Sequence, residues 1–306
     1  MRLLSWNCQG LGNSCTVREL LLLIKEKDPS ILFLSETRLD KIGVEKLRVT
    51  TKFENAFCVS RLGTGGGLAL LWNSKVTCLL NTYSKNHVDV EVADKETGKN
   101  FRITGFYGNP ETHKRKESWA LLKHLSHLSS SPWLCMGDFN EILDNSERVG
   151  TGDRPEWQIR NFREAVAYSE LHDLGFVGVP FTWRNKRDGS AFVTARLDRM
   201  LASATWMSDF EGAGVIHLGV QNSDHCPILL HIPNEPTTLR RKKIYRFEAM
   251  WTKDEQCKSV IQEAWSEDVP EGSKMFRVAE KLKKCRASLI VWSRERFGSL
   301  AATIKQ

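Results

Sequence analysis

The chain has 306 residues, 41% hydrophobic and 26% charged, an ordinary globular composition with room for one large domain or two smaller ones. No apolar run approaches the roughly 20 residues of a membrane span, and Met1 to Asn7 lacks the long apolar region of a signal peptide, which argues against membrane-embedded and secreted classes. The formal charge of +7 is unevenly spread: 16 of the 44 Lys and Arg and 9 of the 37 Asp and Glu lie from Thr237 onward, leaving 28 of each before it.

In chain order, Leu3 to Trp6 reads as a strand and Val17 to Lys27 as an amphipathic helix stopped by Asp28-Pro29. Ile31 to Leu34 is a fully apolar strand, completing a strand–helix–strand unit. Gly63 to Gly67 is a turn before the strand Leu68 to Trp72, and Val76 to Tyr83 and His87 to Val92 have strand character. Lys95 to Lys99 turns the chain into Phe101 to Tyr107. A helix over Glu117 to Leu128 precedes a buried strand at 133–137, and another covers Glu156 to Glu170. Phe181 to Trp183 and Phe192 to Met200 read as two strands around the basic loop Arg184 to Gly189, and Val215 to Leu218 and Ile228 to Ile232 close the series. Residues 1–232 thus predict an α/β domain of two packed β-sheets with flanking helices. Residues 233–243 read as a linker ending in the basic run Arg240 to Lys243, and 244–306 as a basic helical C-terminal tail with helices at Asp254 to Trp265 and Ser273 to Phe297. The tail is either an anion-facing surface or a solvated basic helix.

Eight cysteines are scattered without a CxxC pair or zinc spacing, which fits a reducing compartment, nuclear or cytoplasmic. Phosphate-binding GxxxxGK[ST] loops, HExxH and a Ser-centred nucleophile elbow are absent from the sequence. Instead, polar residues repeatedly follow apolar strands: Asn7, Glu36, Tyr107, and the pair Asp138 and Asn140 in Gly137-Asp138-Phe139-Asn140. Asp198 and Asn222-Ser223-Asp224-His225 add to the series. Each alone reads equally as a turn residue, a surface carboxylate or a core ring with a wet tip. Gathered at one edge of a sandwich, such carboxylates and amides suit Mg²⁺, and a His beside a carboxylate suits phosphate contact or proton transfer.

Taken in order, Trp6-Asn7, Ser35-Glu36-Thr37, Phe106-Tyr107-Gly108, Gly137 to Asn140, Phe181-Thr182-Trp183, Arg196 to Arg199 and Ser223 to Pro227 resemble the endonuclease/exonuclease/phosphatase family. The chain is most similar to the endonuclease domain of plant LINE-type non-LTR retrotransposons, in which Tyr245 to Trp251 and Trp292 to Gly298 would match the segment leading toward a reverse transcriptase. The resemblance implies a deoxyribonuclease I-like four-layer α/β sandwich and a Mg²⁺-dependent endonuclease, Mn²⁺ being an alternative ion, that nicks DNA. It implies Glu36 as direct metal ligand, with Asn7 and Asp224 near the ion, and Asp138 acting on the attacking water. His225 would contact the scissile phosphate and Asp198 would hold its other ring nitrogen. Asn140 and Tyr107 would donate to phosphate oxygens, supported by Thr182 and Ser223. Many abasic-site endonucleases carry an Asp where this chain has Gln9, so a lower metal affinity is expected. The basic hairpin tip, with Arg184, Lys186 and Arg187, is expected to touch DNA. Two other readings stay open: a phosphatase or phosphodiesterase acting on a smaller ester, and an inactive retrotransposon-derived remnant.

Overall fold

The computed structural model describes residues 1–61, 63, 65–185, 187, 189–219, 223–233, 251, 252, 254–269 and 274–297. The linker beyond Pro233, the run Arg240 to Lys243, the segment Tyr245 to Met250, Lys186 and Asn222 therefore lie outside the described residues. Chain contacts separate two compact units, Met1–Thr237 and Thr238–Gln306.

In the first unit β1 (Arg2–Asn7) and β2 (Ile31–Ser35) pair in parallel, Asn7 opposite Ser35, with α1 (Ser14–Lys27) as the crossover that a parallel pair requires. Asn13 caps α1 by accepting from the Cys15 amide at 2.9 Å, and Asp28 ends it at a left-handed φ of 45° just before Pro29. Next come α2 (Lys41–Thr51), β3 (Asn55–Val59) and β4 (Leu68–Trp72), with β4 antiparallel to both β2 and β3. A meander follows, β5 (Val76–Ser84), β6 (His87–Asp94) and β7 (Asn100–Tyr107). α3 (Arg115–Ser126) then crosses to β8 (Trp133–Asp138), parallel to β7. After β9 (Arg148–Gly150) and α4 (Glu156–Tyr168) come the short strands β10 (Leu171–Asp173), β11 (Val177–Gly178), β12 (Trp183–Arg184) and β13 (Val193–Ala195). β14 (Asp198–Ser203), α5 (Ala204–Asp209), β15 (Gly214–His217) and β16 (Ile228–His231) complete the unit.

Among the described residues these strands form a seven-stranded sheet, β11-β15-β16-β1-β2-β4-β3, and a six-stranded sheet, β10-β14-β8-β7-β6-β5. A third, three-stranded sheet, β12-β13-β9, stands apart from both. The apolar strands owe their lack of polar alternation to burial on both faces. Leu3, Ile31, Phe33, Leu70, Ile103 and Met136 fill the layer between the sheets. Their neighbours Leu4, Trp6, Leu32 and Leu34 pack with Leu20 and Leu23 of α1 and with Val44 and Leu47 of α2. On the other side Trp133, Cys135 and Leu201 pack with Trp119 and Leu122 of α3 and Phe162 of α4. The result is the expected helix–sheet–sheet–helix sandwich.

Polar burial locks the six-stranded sheet. Arg102 on β7 donates to Asp89 on β6 at 2.9 and 3.0 Å, both side chains being fully buried, and Thr104 also donates to Asp89. Removing one partner of such a pair leaves a desolvated charge. Asp89→Leu is expected to cost about 3–5 kcal/mol, read as a lowered urea midpoint with unchanged slope.

Several elements depart from the sequence-based expectation. The expected strand Phe192 to Met200 is two strands in different sheets. It breaks because the Leu197 and Asp198 amides donate to Thr182 Oγ1 at 3.0 and 2.9 Å, while the Leu197 carbonyl accepts from Phe139. α2 and β3 have no counterpart in the expectation: α2 carries Gly43 and buries only Val44, Leu47 and Thr51, and every residue of β3 is at least partly exposed. In the second unit α6 (Glu255–Ser266) and α7 (Lys274–Phe297) share a small core of Trp251, Cys257, Leu289 and Trp292, with the two indoles edge-to-face at 6.1 Å. No helix among the described residues is long and apolar enough to cross a membrane.

Candidate active site

Strand register assembles the site. Both parallel pairs, β1–β2 and β7–β8, run the same way within the pair, so each presents two carboxyl ends at one edge. In the six-stranded sheet Tyr107 lies opposite Asp138, and Asp138 lies opposite Asp198 of β14, so three candidate residues form one row. In the seven-stranded sheet Asn7 ends β1, and Glu36 follows β2 at a left-handed φ of 52°. Asn140 and Gln9 also hold left-handed φ values, 56° and 51°. Three non-glycine residues in that region around one site mark backbone strain held by the surrounding fold. Gly137 is obligatory: at φ 145° a Cβ would stand 2.0 Å from the Phe106 carbonyl oxygen.

Hydrogen bonds join the two sheets at this edge. Asn7 Nδ2 donates at 3.0 Å both to Glu36 Oε1 and to Asp138 Oδ2. The Tyr107 hydroxyl donates to the same Glu36 oxygen at 2.8 Å, so both of these hydrogen bonds to the Glu36 carboxylate fall on Oε1. Asp138, almost fully buried, accepts from the Asn140 amide at 2.8 Å and from Asn140 Nδ2 at 3.1 Å. Asn140 Nδ2 also donates to the Gly108 carbonyl at 2.9 Å. Phe139, between them, turns into the core beside Phe106.

His225 sits against Asp198, its Nδ1 at 2.8 Å from Oδ2, and its Nε2 faces Asp138 Oδ2 at 3.8 Å. Ser223 Oγ donates to the Asn7 carbonyl and accepts from the His225 amide, both at 3.0 Å, so it shapes the loop that carries the imidazole. Thr182 uses its hydroxyl to receive the backbone at Asp198. Burial opposes charge on His225, but the Asp198 and Asp138 carboxylates outweigh it and raise its pKa to about 10. Burial, reinforced by Asp198 and countered by His225, raises Asp138 to about 7. Burial and then the Glu36 and Asp138 charges push the Tyr107 hydroxyl well above its ordinary range, so it stays a donor.

Asp224 completes the other side. Its Oδ2 accepts from Gln9 Nε2 at 2.7 Å and from Trp183 Nε1 at 3.1 Å, while Oδ1 is buried without a hydrogen-bond partner. Asp138, Asp198 and Asp224 thus surround one imidazole, and Glu36 is joined to Asp138 through Asn7. The surplus of carboxylates, with an unsatisfied buried oxygen on Asp224, fits a hard cation taking oxygen ligands. A second ligand set is available, since donor atoms of Asp138, Asp198 and His225 lie within 4.8 Å of one another.

The row and its partners therefore bring together Asn7, Glu36, Tyr107, Asp138, Asn140, Asp198, Ser223, Asp224 and His225. Arg184 and Arg187 lie exposed on the hairpin instead, and Arg184 borders a cleft of about 540 Å³ whose walls include Phe181, Trp183, Phe192 and Asp224. Reading the sequence missed Trp6, whose indole donates to the His225 carbonyl at 2.9 Å, and Asn86, which donates to the Tyr107 carbonyl at 2.7 Å. Trp6 had one usable signal: it precedes Asn7 at a strand end and so faces the opposite way.

The sequence pattern of the Endonuclease/Exonuclease/phosphatase family matches residues 4–225. The chain belongs to that family. No curated protein matches its sequence. Solved structures share the family fold at low identity. The catalytic domain of Xenopus laevis APE2 superposes with a TM-score of 0.58 at 16% identity, covering 76% of this chain and 91% of that one. The endonuclease domain of TRAS1, a telomere-specific non-LTR retrotransposon, gives 0.55 at 16%, covering 76% and 97%. The 3′ phosphatase NExo from Neisseria, bound to product DNA hairpin, gives 0.56 at 18%, covering 76% and 99%.

Proposed function

We propose that this family member is a Mg²⁺-dependent phosphodiester hydrolase that nicks DNA, the step that primes target-site reverse transcription. Residues 1–232 form the catalytic unit in this reading, and 244–306 the segment leading toward a reverse transcriptase in a longer parent chain. The observation that carries it is the row Tyr107–Asp138–Asp198 with His225 docked on its end, facing Glu36 and Asp224 from the other sheet.

Glu36 and Asp224 would hold the ion, with Asn7 beside them. Bound there, it supplies positive charge against the phosphoryl oxygens. Asp138 takes the proton of the attacking water, a role its raised pKa suits near neutral pH. His225, charged and held by Asp198, presents Nε2–H to the phosphate. The Tyr107 hydroxyl and the Asn140 amide rest on Glu36, Asp138 and the Gly108 carbonyl, and an entering phosphate competes for those donors.

Supercoiled plasmid tests the reading. Nicking in Mg²⁺ that is lost both in EDTA and in His225→Ala supports it. Release of phosphate from inositol phosphates without nicking would favour a phosphatase, and no activity at all a remnant. The hairpin supplies a separate expectation. Arg184→Ala with Arg187→Ala should weaken duplex binding and flatten its salt dependence by about one unit of slope per lost phosphate contact, measured by fluorescence anisotropy from 50 to 200 mM salt.

A further inference from the structure

Strand β12 carries two things at once. Arg184 points its exposed side chain toward solvent on the basic hairpin, and Trp183, one residue earlier, donates its indole N–H to Asp224 Oδ2 at 3.1 Å. The backbone repeats the link. The Arg184 amide donates to the Asp224 carbonyl at 3.0 Å, the Cys226 amide donates to the Thr182 carbonyl at 2.6 Å, and Trp183 and His225 form an antiparallel bridge. The hairpin strand is therefore stitched to the loop that bears Asp224 and His225. The Trp183 ring is itself anchored, packing against Ile142, Ile159, Ala195 and Leu197.

On the opposite side Gln9 Nε2 donates to the same carboxylate oxygen at 2.7 Å. Two neutral donors thus converge on Oδ2 and leave Oδ1 buried with no hydrogen-bond partner. A buried carboxylate oxygen left unsatisfied is costly, and it is retained where something else completes it. Fixing one oxygen from both sides sets the orientation of the other, as outer partners do for metal-binding carboxylates.

We propose that Trp183, with Gln9, is a positioning residue for Asp224, and that through it the DNA-gripping hairpin and the cation are bound cooperatively. This rests on the reading of Asp224 as a cation ligand. Binding of a duplex on the Arg184 side draws on the same strand that orients the carboxylate, so each ligand favours the arrangement the other needs, and linkage makes the effect reciprocal.

The test is metal binding rather than turnover. Mn²⁺ affinity is measured by calorimetry on the full chain without DNA, for the unsubstituted protein, Trp183→Phe and Gln9→Met. Each variant is expected to bind Mn²⁺ roughly tenfold more weakly, the usual size of such an outer-partner effect. Melting in EDTA should be unchanged, which a merely structural role would not leave intact. In a His225→Ala background, which blocks cleavage, a short duplex should tighten Mn²⁺ binding, and adding Trp183→Phe should abolish that tightening. Unchanged Mn²⁺ affinity in both variants, or duplex enhancement that survives Trp183→Phe, overturns the proposal. Should Trp183→Phe melt lower in EDTA, Gln9→Met decides the orientation role, and its unchanged affinity overturns it. Failure of the unsubstituted chain to bind Mn²⁺ would overturn both this proposal and the reading of Asp224, whereas Mn²⁺ binding that ignores Trp183 and Gln9 would overturn this one alone.

Discussion

If the chain nicks DNA as proposed, Asp138→Asn is expected to lower the nicking rate by about 10²–10⁴-fold while leaving Mg²⁺ affinity within about twofold, on the scale of a lost general base. The amide keeps the shape of the carboxylate but cannot take a proton. Glu36 and Asp224, which would hold the ion, are untouched, and calorimetric Mg²⁺ titration beside a plasmid-nicking time course separates the two effects. Loss of metal binding in this variant would move Asp138 into the ion's coordination shell, where the cluster with Asp198 and His225 would place it. A pH signature accompanies the rate. Asp138 titrates near 7 in the folded chain against 3.8 for an ordinary Asp, because burial disfavours its charge. The folded state thus binds this proton more tightly than the unfolded state does. Its contribution to stability falls as pH rises from about 4 to about 7, and Asp138→Asn should flatten that fall in urea midpoints taken across the range. Burying an ionisable base in this way costs stability at working pH, as sites built for chemistry commonly do.

Asp198→Asn should be nearly as damaging, about 10²–10³-fold at pH 8, with partial recovery toward pH 6. Asp198 contacts no water or phosphate in this scheme. It holds His225 at 2.8 Å and, with Asp138, raises the imidazole to about 10 despite burial. Without that carboxylate the imidazole loses its proton at lower pH and presents no charged N–H at pH 8. The sign for stability is the reverse of the Asp138 case. The folded pKa of His225 lies above its ordinary 6.5, so the stabilisation is fully present below about pH 6.5 and is lost as pH rises through about 10. The stability gap between wild type and Asp198→Asn should therefore narrow at the alkaline end. An NMR titration of the His225 ring in metal-free protein checks the shift directly, and an imidazole that keeps its full upward shift in the variant would contradict the assignment.

Most of the strands were legible because burial on both faces writes itself as an apolar run, as in Ile31 to Leu34 and Trp133 to Met136. The helices α1 and α4 were legible because each buries one stripe and exposes the rest. α2 was not, since a short helix interrupted by Gly43 with three buried positions carries little periodic signal. The division of Phe192 to Met200 into two strands was invisible as well, because its cause is a hydroxyl from Thr182 and a carbonyl contact to Phe139, both far away in sequence. The candidate residues themselves could be named from their order along the chain, while the partners that aim them could not. Trp6 reads as core and Trp183 as a strand aromatic until the fold brings their indole N–H groups to His225 and Asp224.

By itself, then, the sequence determined which strands are buried, which polar residues stand at their ends and that the basic excess lies in the tail, because burial pattern and charge are properties of neighbours along the chain. Only the tertiary structure decided that Asp138, Asp198 and Tyr107 share one row, that Asn7 joins the carboxylates of two sheets, and that one oxygen of Asp224 is left open. Those facts depend on strand register and on hydrogen bonds spanning up to 215 residues of chain, from Gln9 to Asp224, and register is set by which apolar faces meet, not by any local run of residues.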